Sequence, residues 1–173
     1  MGRASAIIDT NVDDAMAWYF AFCGRGRSAI SQNERHPVRI IVREYTPHDH
    51  LFATVKKMPF PFRLREVVFR MICASNEEGQ RLIAFEGCDD PVDYGKSFNS
   101  VRAMTNGLLR LEPLPVHDGI PQCKVTLIQL TDIGWHIPVR EEARASCSDT
   151  MARARCTDAL LLTHSPLLLL LLL

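Results

Sequence analysis

The fold class this 173-residue chain predicts is α+β, built on one curved antiparallel sheet of about seven strands with a helix in its N-terminal half. Three observations carry that expectation. Alternating apolar and polar runs recur along most of the chain, separated by turn-forming clusters. One amphipathic helical stretch lies near the start, over residues 12–23. The connections between the later runs are mostly short, so successive strands fold back on one another as a meander. Such a sheet cannot bury its concave side alone, and something must lie in its grip.

Residues 4–9 read as a short strand. Thr10 then offers a helix N-cap, with Asp13 three positions on. In the helix over 12–23, Val12, Met16, Tyr19, Phe20 and Cys23 repeat at helical spacing and form the buried stripe. Trp18 and Tyr19 read as core. Gly24 and Gly26 stop the helix, and Arg25 and Arg27 suit the negative end of its dipole. A polar loop follows.

Residues 38–45 and 51–58 form an antiparallel hairpin around Thr46, Pro47, His48, Asp49 and His50. The His48-Asp49-His50 cluster has metal-ligand residue types. Adjacent side chains on a turn diverge, however, and no further ligand is placed by sequence, so a solvated turn and no metal is the expectation.

The stretch ATVKKMPFPFRLREVVFRMIC (53–73) is the centre of the chain. Each proline fixes its own φ, lacks a ladder N–H and pushes the preceding residue toward an extended conformation, so the backbone must turn between Met58 and Phe62. Beyond that corner Val67, Phe69, Met71 and Cys73 share one face, and Glu66, Val68, Arg70 and Ile72 share the other. A turn over 75–80 leads to a strand over 81–86. The connection 87–100 is long and carries two glycines, a proline and three aspartates. A strand over 101–112, broken near Asn106-Gly107, a loop over 113–121 and a strand over 122–131 complete the sheet.

Lysines plus arginines and aspartates plus glutamates number 20 each, so no long-range field draws the chain to nucleic acid, and any membrane contact is transient and led by apolar groups. The six cysteines show no C-x-x-C pairing, and no secretory signal opens the chain; free thiols in a reducing cytoplasm are expected. The chain lacks G-x-S-x-G, H-E-x-x-H, phosphate-loop and dinucleotide motifs, so neither an enzyme nor a cofactor is expected.

Three strings share one resemblance. VKKMPFPFRLRE (55–66) is similar to the V-K-x-P-F-P…R-[DE] stretch of START domains, the steroidogenic-acute-regulatory-related lipid-transfer family, most closely its phosphatidylcholine-transfer branch. Val101-Arg102 followed by Leu111-Glu112-Pro113-Leu114 resembles the family's V-R…P-L strand, and KVTLIQLTDIGWHIP (124–138) resembles its K-V…D-x-G-G-x-I-P segment. The match spans residues 4–138 in order.

The resemblance implies a helix-grip fold, shared with Bet v 1-like proteins, and non-enzymatic binding or transfer of one lipid held between sheet and C-terminal helix. It implies that the 87–100 loop, through Gly87, Pro91, Tyr94 and Gly95, lies over the mouth of the lipid tunnel. Arg70 lies near the family's cavity arginine and Arg102 matches the V-R pair, so both are headgroup candidates, with Glu86 or Asp132 as counter-charge. A solvent-facing arginine covering an apolar neighbour with its stem is the equal alternative for each. Ile72, Met104, Leu108 and Leu127 are the candidate apolar wall.

Past Pro138 the pattern departs from the family, and residues 139–173, ending in seven leucines, read as a low-complexity tail. The expected organisation is therefore a START-like domain over 1–138, lacking both flanking helices, and a divergent tail. Two other function classes share this architecture: a regulatory or scaffolding unit without lipid, and a small-molecule cyclase or hydratase.

Overall fold

The computed structural model describes residues 1–60 and 62–134. The expected tail lies outside the described residues. Ten elements follow in order: β1 (Gly2–Ile8), α1 (Val12–Phe20), α2 (Arg25–Asn33), β2 (Val38–Thr46), β3 (Asp49–Lys56), β4 (Leu64–Ser75), β5 (Arg81–Gly87), β6 (Ser100–Arg102), β7 (Met104–His117) and β8 (Ile120–Asp132). The strands form one curved eight-stranded sheet in the order β1-β8-β7-β5-β4-β3-β2, with short β6 pairing β4 in parallel where β5 has left it.

Alternation and register give the sheet two distinct faces. Phe52 lies opposite Phe69, Met71 opposite Phe85, and Leu109 opposite Leu127. These residues are buried and belong to the face that carries the helices. Phe22, just past α1, is the joint between the two layers. Its ring centroid lies 5.2 Å from that of Phe52 and 5.0 Å from that of Phe69. The Arg39 guanidinium sits 3.7 Å above the Phe22 centroid. Asp13 on α1 also pairs with Arg81 of β5 at 2.9 Å.

The opposite face is covered in part by the connection after β5. Leu51, Ala53 and Val68 form a small buried cluster there, and Val42, Cys88, Val92 and Tyr94 pack against it.

Several local expectations are corrected. The helix cap is Asn11, whose side chain accepts the Asp14 N–H at 2.8 Å, so capping falls one residue after Thr10. The helix ends at Phe20, and Gly24 is the extended N-cap of a second helix where a polar loop was expected. Gly26 lies under Trp18, where a Cβ would come within 2.9 Å of the indole; that indole is 49% exposed and is not core. Arg27 does serve the end of α1, donating to the Tyr19 carbonyl at 2.8 Å. The loop expected over 113–121 is the far end of a β7–β8 hairpin, with Asp118 and Gly119 both at positive φ at its tip. The break expected at Asn106-Gly107 falls at Ala103, between β6 and β7. Gly107 instead lets the Phe85 ring lie across β7, since a Cβ there would meet that ring at 2.5 Å.

Phe22→Ala removes the ring that joins the helices to the sheet, and we expect a loss of about 3–5 kcal/mol in urea unfolding. Phe60→Ala, at a fully solvated position, is the control and should leave the midpoint unchanged.

Candidate functional site

The helix-bearing face ends, toward the Pro-Phe-Pro corner, in a group of buried cations. Lys56 and Arg65 are register partners on β3 and β4 and share this face with Phe52 and Phe69. Arg39 of β2 and Arg27 of α2, both over the Phe22 ring, lie near Lys56. Arg39 Nε donates to the Phe22 carbonyl at 2.5 Å. Burial, followed by the charges of Arg39 and Arg27, lowers the Lys56 ammonium to about 7; Glu34 opposes the shift. Burial, followed by Arg39, lowers Arg27 to about 10. His36 sits in the same group, and its Nδ1 accepts the Lys57 N–H at 3.0 Å. That bond fixes a neutral ring whose Nε2–H faces Glu34 at 2.9 Å, in keeping with a value lowered by burial and by Lys56.

Arg65 stands apart in its bonding. The residue is 2% exposed, and only Nη1 is engaged, donating to the Arg63 carbonyl at 3.1 Å and the Leu64 carbonyl at 3.5 Å. Nε and Nη2 are buried and find no hydrogen-bond partner among the described residues. A guanidinium taken out of water with half of its fork empty is a costly arrangement, and an anion on its open side would complete it.

The residues singled out from sequence fall elsewhere. Arg70 and Ile72 lie on the opposite face. Arg70 Nε donates to Asp49 Oδ1 at 2.7 Å, and Nη2 pairs with Asp49 Oδ2. Its guanidinium lies 4.9 Å from the Tyr45 ring centroid. Ile72 is 43% exposed, and Leu108, in the same register row through Ala84, is exposed with it. Arg102 pairs with Glu66 at 2.8 Å and donates to the Asp90 carbonyl at 2.5 Å. Met104 is half-buried, its methyl group 3.2 Å from where a Cβ on Gly87 would sit. Of the six, Leu127 lies on the helix-bearing face and is buried. Glu86 is exposed, and Asp132 Oδ1 accepts the Gly134 N–H at 2.9 Å.

The 87–100 connection is fastened to the face opposite Arg65. Tyr94 Oη donates to Glu66 Oε1 at 2.7 Å, and burial is the first of the causes that push its phenol up. Pro91 and Gly95 are exposed, and Gly87 ends β5.

Sequence reasoning passed over Arg65 although its signal was present. Extending the Val67, Phe69, Met71 alternation back by one step places Arg65 on that apolar face.

Chemistry on the remaining clusters is limited. Cys73 Sγ lies 3.4 Å from His48 Nδ1, but burial pushes the thiol up, away from the thiolate form. Cys23, Cys73, Cys88 and Cys123 are free thiols. Among the described residues no group of three His, Cys, Asp or Glu side chains is placed to hold a metal, and no helix is long and apolar enough to cross a membrane.

No family model matches the chain, and no curated protein matches it in sequence. Solved structures do match. The human StarD13 (DLC2) lipid transfer and protein localization domain superposes with a TM-score of 0.61 at 14% identity over 79% of this chain and 64% of that one. Human StAR-related lipid transfer protein 5 gives 0.57 at 16% identity, over 79% and 62%. A STAR-related lipid transfer protein from Xanthomonas axonopodis gives 0.53 at 15%, over 73% and 66%. The chain thus spans somewhat less than two thirds of the human domains. At this identity the likeness establishes the fold, which is the START helix-grip.

The lowered Lys56 has a direct consequence for stability. Below about pH 7 the ammonium is charged in folded and unfolded chains alike, and its burial opposes folding in full. As the pH rises past 7 the folded lysine loses its proton while the unfolded one, titrating near 10.5, keeps it, so stability rises. Between pH 7.5 and 9 we expect Lys56 to add about 1 kcal/mol per pH unit in urea unfolding, and Lys56→Met to remove that slope.

Proposed function

We propose that this chain binds one lipid against the helix-bearing face of its sheet, with Arg65 holding an anionic group of that lipid, and that it carries or presents the lipid at a membrane surface without catalysing a reaction on it. The buried, half-bonded Arg65 guanidinium carries this reading. A soluble domain gains nothing in stability from such a group, whereas a carboxylate or phosphate would give its open side two charge-assisted hydrogen bonds. The surrounding face supplies the apolar contact: Val67, Phe69, Phe85, Leu109 and Leu127 are all buried on it. Burial of acyl or sterol surface at about 25 cal/mol per Å² then drives uptake. Solved structures of the same fold bear lipid-transfer names, in line with this reading. The V-K-K-M-P-F-P string adds weight to a phosphatidylcholine-transfer-like branch, in which a phosphate is the natural partner for Arg65.

Membrane contact falls to the corner between β3 and β4. Phe60 is 97% exposed at its tip, with exposed Lys57 and Arg63 on either side. An aromatic ring flanked by cations suits brief insertion among headgroups. The corner adjoins the strand ends that bear Lys56 and Arg65, so it lies at the anion-binding end of the face. The free thiols fit a reducing, cytoplasmic setting.

The test is native mass spectrometry of the purified full chain after incubation with mixed phospholipid vesicles. A single-lipid adduct is expected. Arg65→Met should lower its occupancy about tenfold or more while leaving the melting temperature unchanged or raised, because an orphan buried charge has been removed. A folded, ligand-free wild type after exposure overturns the proposal. In a vesicle-to-vesicle transfer assay, Phe60→Asp should slow transfer without altering equilibrium occupancy.

A further inference from the structure

A second incompletely bonded polar group lies on the helix-bearing face. Gln129 is opposite Gly107, which is opposite Phe85, which is opposite Met71, so one register row crosses β8, β7, β5 and β4. Gln129 is 4% exposed. Its Nε2 donates to Thr105 Oγ1 at 2.7 Å, and the Thr105 and Thr131 hydroxyl oxygens lie 3.2 Å apart. The amide N–H thus bonds to Thr105, whose own proton is free to pass the bond on to Thr131. Oε1 is buried and has no hydrogen-bond partner among the described residues. The polar chain therefore ends in one acceptor, on a face where the buried Leu127, Leu109 and Phe85 offer no donor from their side chains.

The position of this acceptor relative to Arg65 limits what could meet it. Arg65 stands six residues along β4 from Met71, and Gln129 stands three strands across from Met71. At about 3.3 Å per residue and about 4.8 Å per strand, the two lie about 20 Å apart along the strands and about 14 Å apart across them, a diagonal of about 25 Å on a flat sheet and less on a curved one. That is about the length of an extended long acyl chain, well beyond the reach of one headgroup.

We infer that Gln129 accepts a hydrogen bond from a hydroxyl on the bound lipid, so that the ligand is an amphiphile with an anionic group at one end and a hydroxyl remote from it. This rests on the lipid reading above and narrows it. An orphan buried carbonyl oxygen is costly, and a donor of matching position removes that cost. A lipid of equal length without the hydroxyl leaves the cost in place. A site built to bond a hydroxyl discriminates strongly against the analogue that lacks it.

The experiment uses three acids that differ at the terminal carbon: 18-hydroxystearate, stearate and 18-methoxystearate. Each competes for the full-length wild type, Gln129→Leu and Arg65→Met, with lipid loading from phospholipid vesicles measured in parallel. Wild type should prefer 18-hydroxystearate about tenfold or more over both other acids. Gln129→Leu should bind all three alike, at the level wild type shows for stearate, with its melting temperature maintained. Arg65→Met should weaken all three by a similar factor and keep the hydroxyl preference. A wild type that loads lipid from vesicles yet shows no hydroxyl preference overturns this inference alone, as does a preference that survives Gln129→Leu. A wild type that takes up neither vesicle lipid nor acid overturns the lipid reading and this inference together.

Discussion

The ring of Phe22 holds the two layers of this fold together. It follows α1 directly, stands between Phe52 and Phe69, and carries the guanidinium of Arg39 on its other side. Three kinds of interaction meet there: apolar burial, edge-to-face ring contact and cation–π attraction. The carbonyls left open by the end of α1 add a fourth, since those of Tyr19 and Phe22 accept from Arg27 and Arg39. Helix termini need donors, and here the donors are cations. The same contacts that seat the helices on the sheet therefore gather positive charge on that face, and the cation group around Lys56 follows from how the fold is closed.

The two faces of the sheet treat their polar groups in opposite ways. On the face covered by the 88–99 connection, the carboxylates of Glu66 and Asp49 are saturated: Glu66 takes Tyr94 and Arg102, and Asp49 takes both arms of the Arg70 fork. These groups are partly or fully wet, and their pairing is a matter of surface order. On the helix-bearing face, Arg65 and Gln129 are dry and incompletely bonded. Residue type alone does not distinguish Arg70 from Arg65. Satisfaction does, because a buried donor without an acceptor persists only where something outside the chain's own bonding makes it worthwhile.

Much of the sheet was legible because alternation survives in single strands. The paired sets around Val67 and Val68 read correctly, and the Pro-Phe-Pro corner separated β3 from β4 where rigid φ angles require it. The second helix was not legible: RGRSAISQN has little apolar periodicity, and its two glycines read as a stop. Their reason is tertiary, one being the extended cap of α2 and the other a seat for Trp18. The β7–β8 hairpin was masked by Pro113, Pro115 and Pro121, which outweighed the Asp118-Gly119 turn signal at its tip. On the site, choosing between parities by family position favoured Arg70. Continuing the apolar alternation outward from Met71 leads to Arg65, and the same step from Leu127 leads to Gln129.

Lys56 and Arg65 are direct partners across the ladder, with Cα atoms about 5 Å apart. A buried ammonium near guanidiniums is relieved by giving up its proton, since an arginine is far the harder to deprotonate. The value of about 7 at Lys56 is that relief. Burial contributes most of it, and the guanidiniums of Arg39 and Arg27 add to it. On the lipid reading proposed above, an anion held by Arg65 would also lie near Lys56, cancel part of the positive field there and make its charged form cheaper. Lipid uptake and proton uptake are then linked, and the linkage is reciprocal: a protonated Lys56 favours the anion as much as the anion favours protonation. Because the value lies near neutrality, the coupling operates across the ordinary range of cellular pH. A lysine held at about 10 in the same place would already be charged there and would have no proton left to take up.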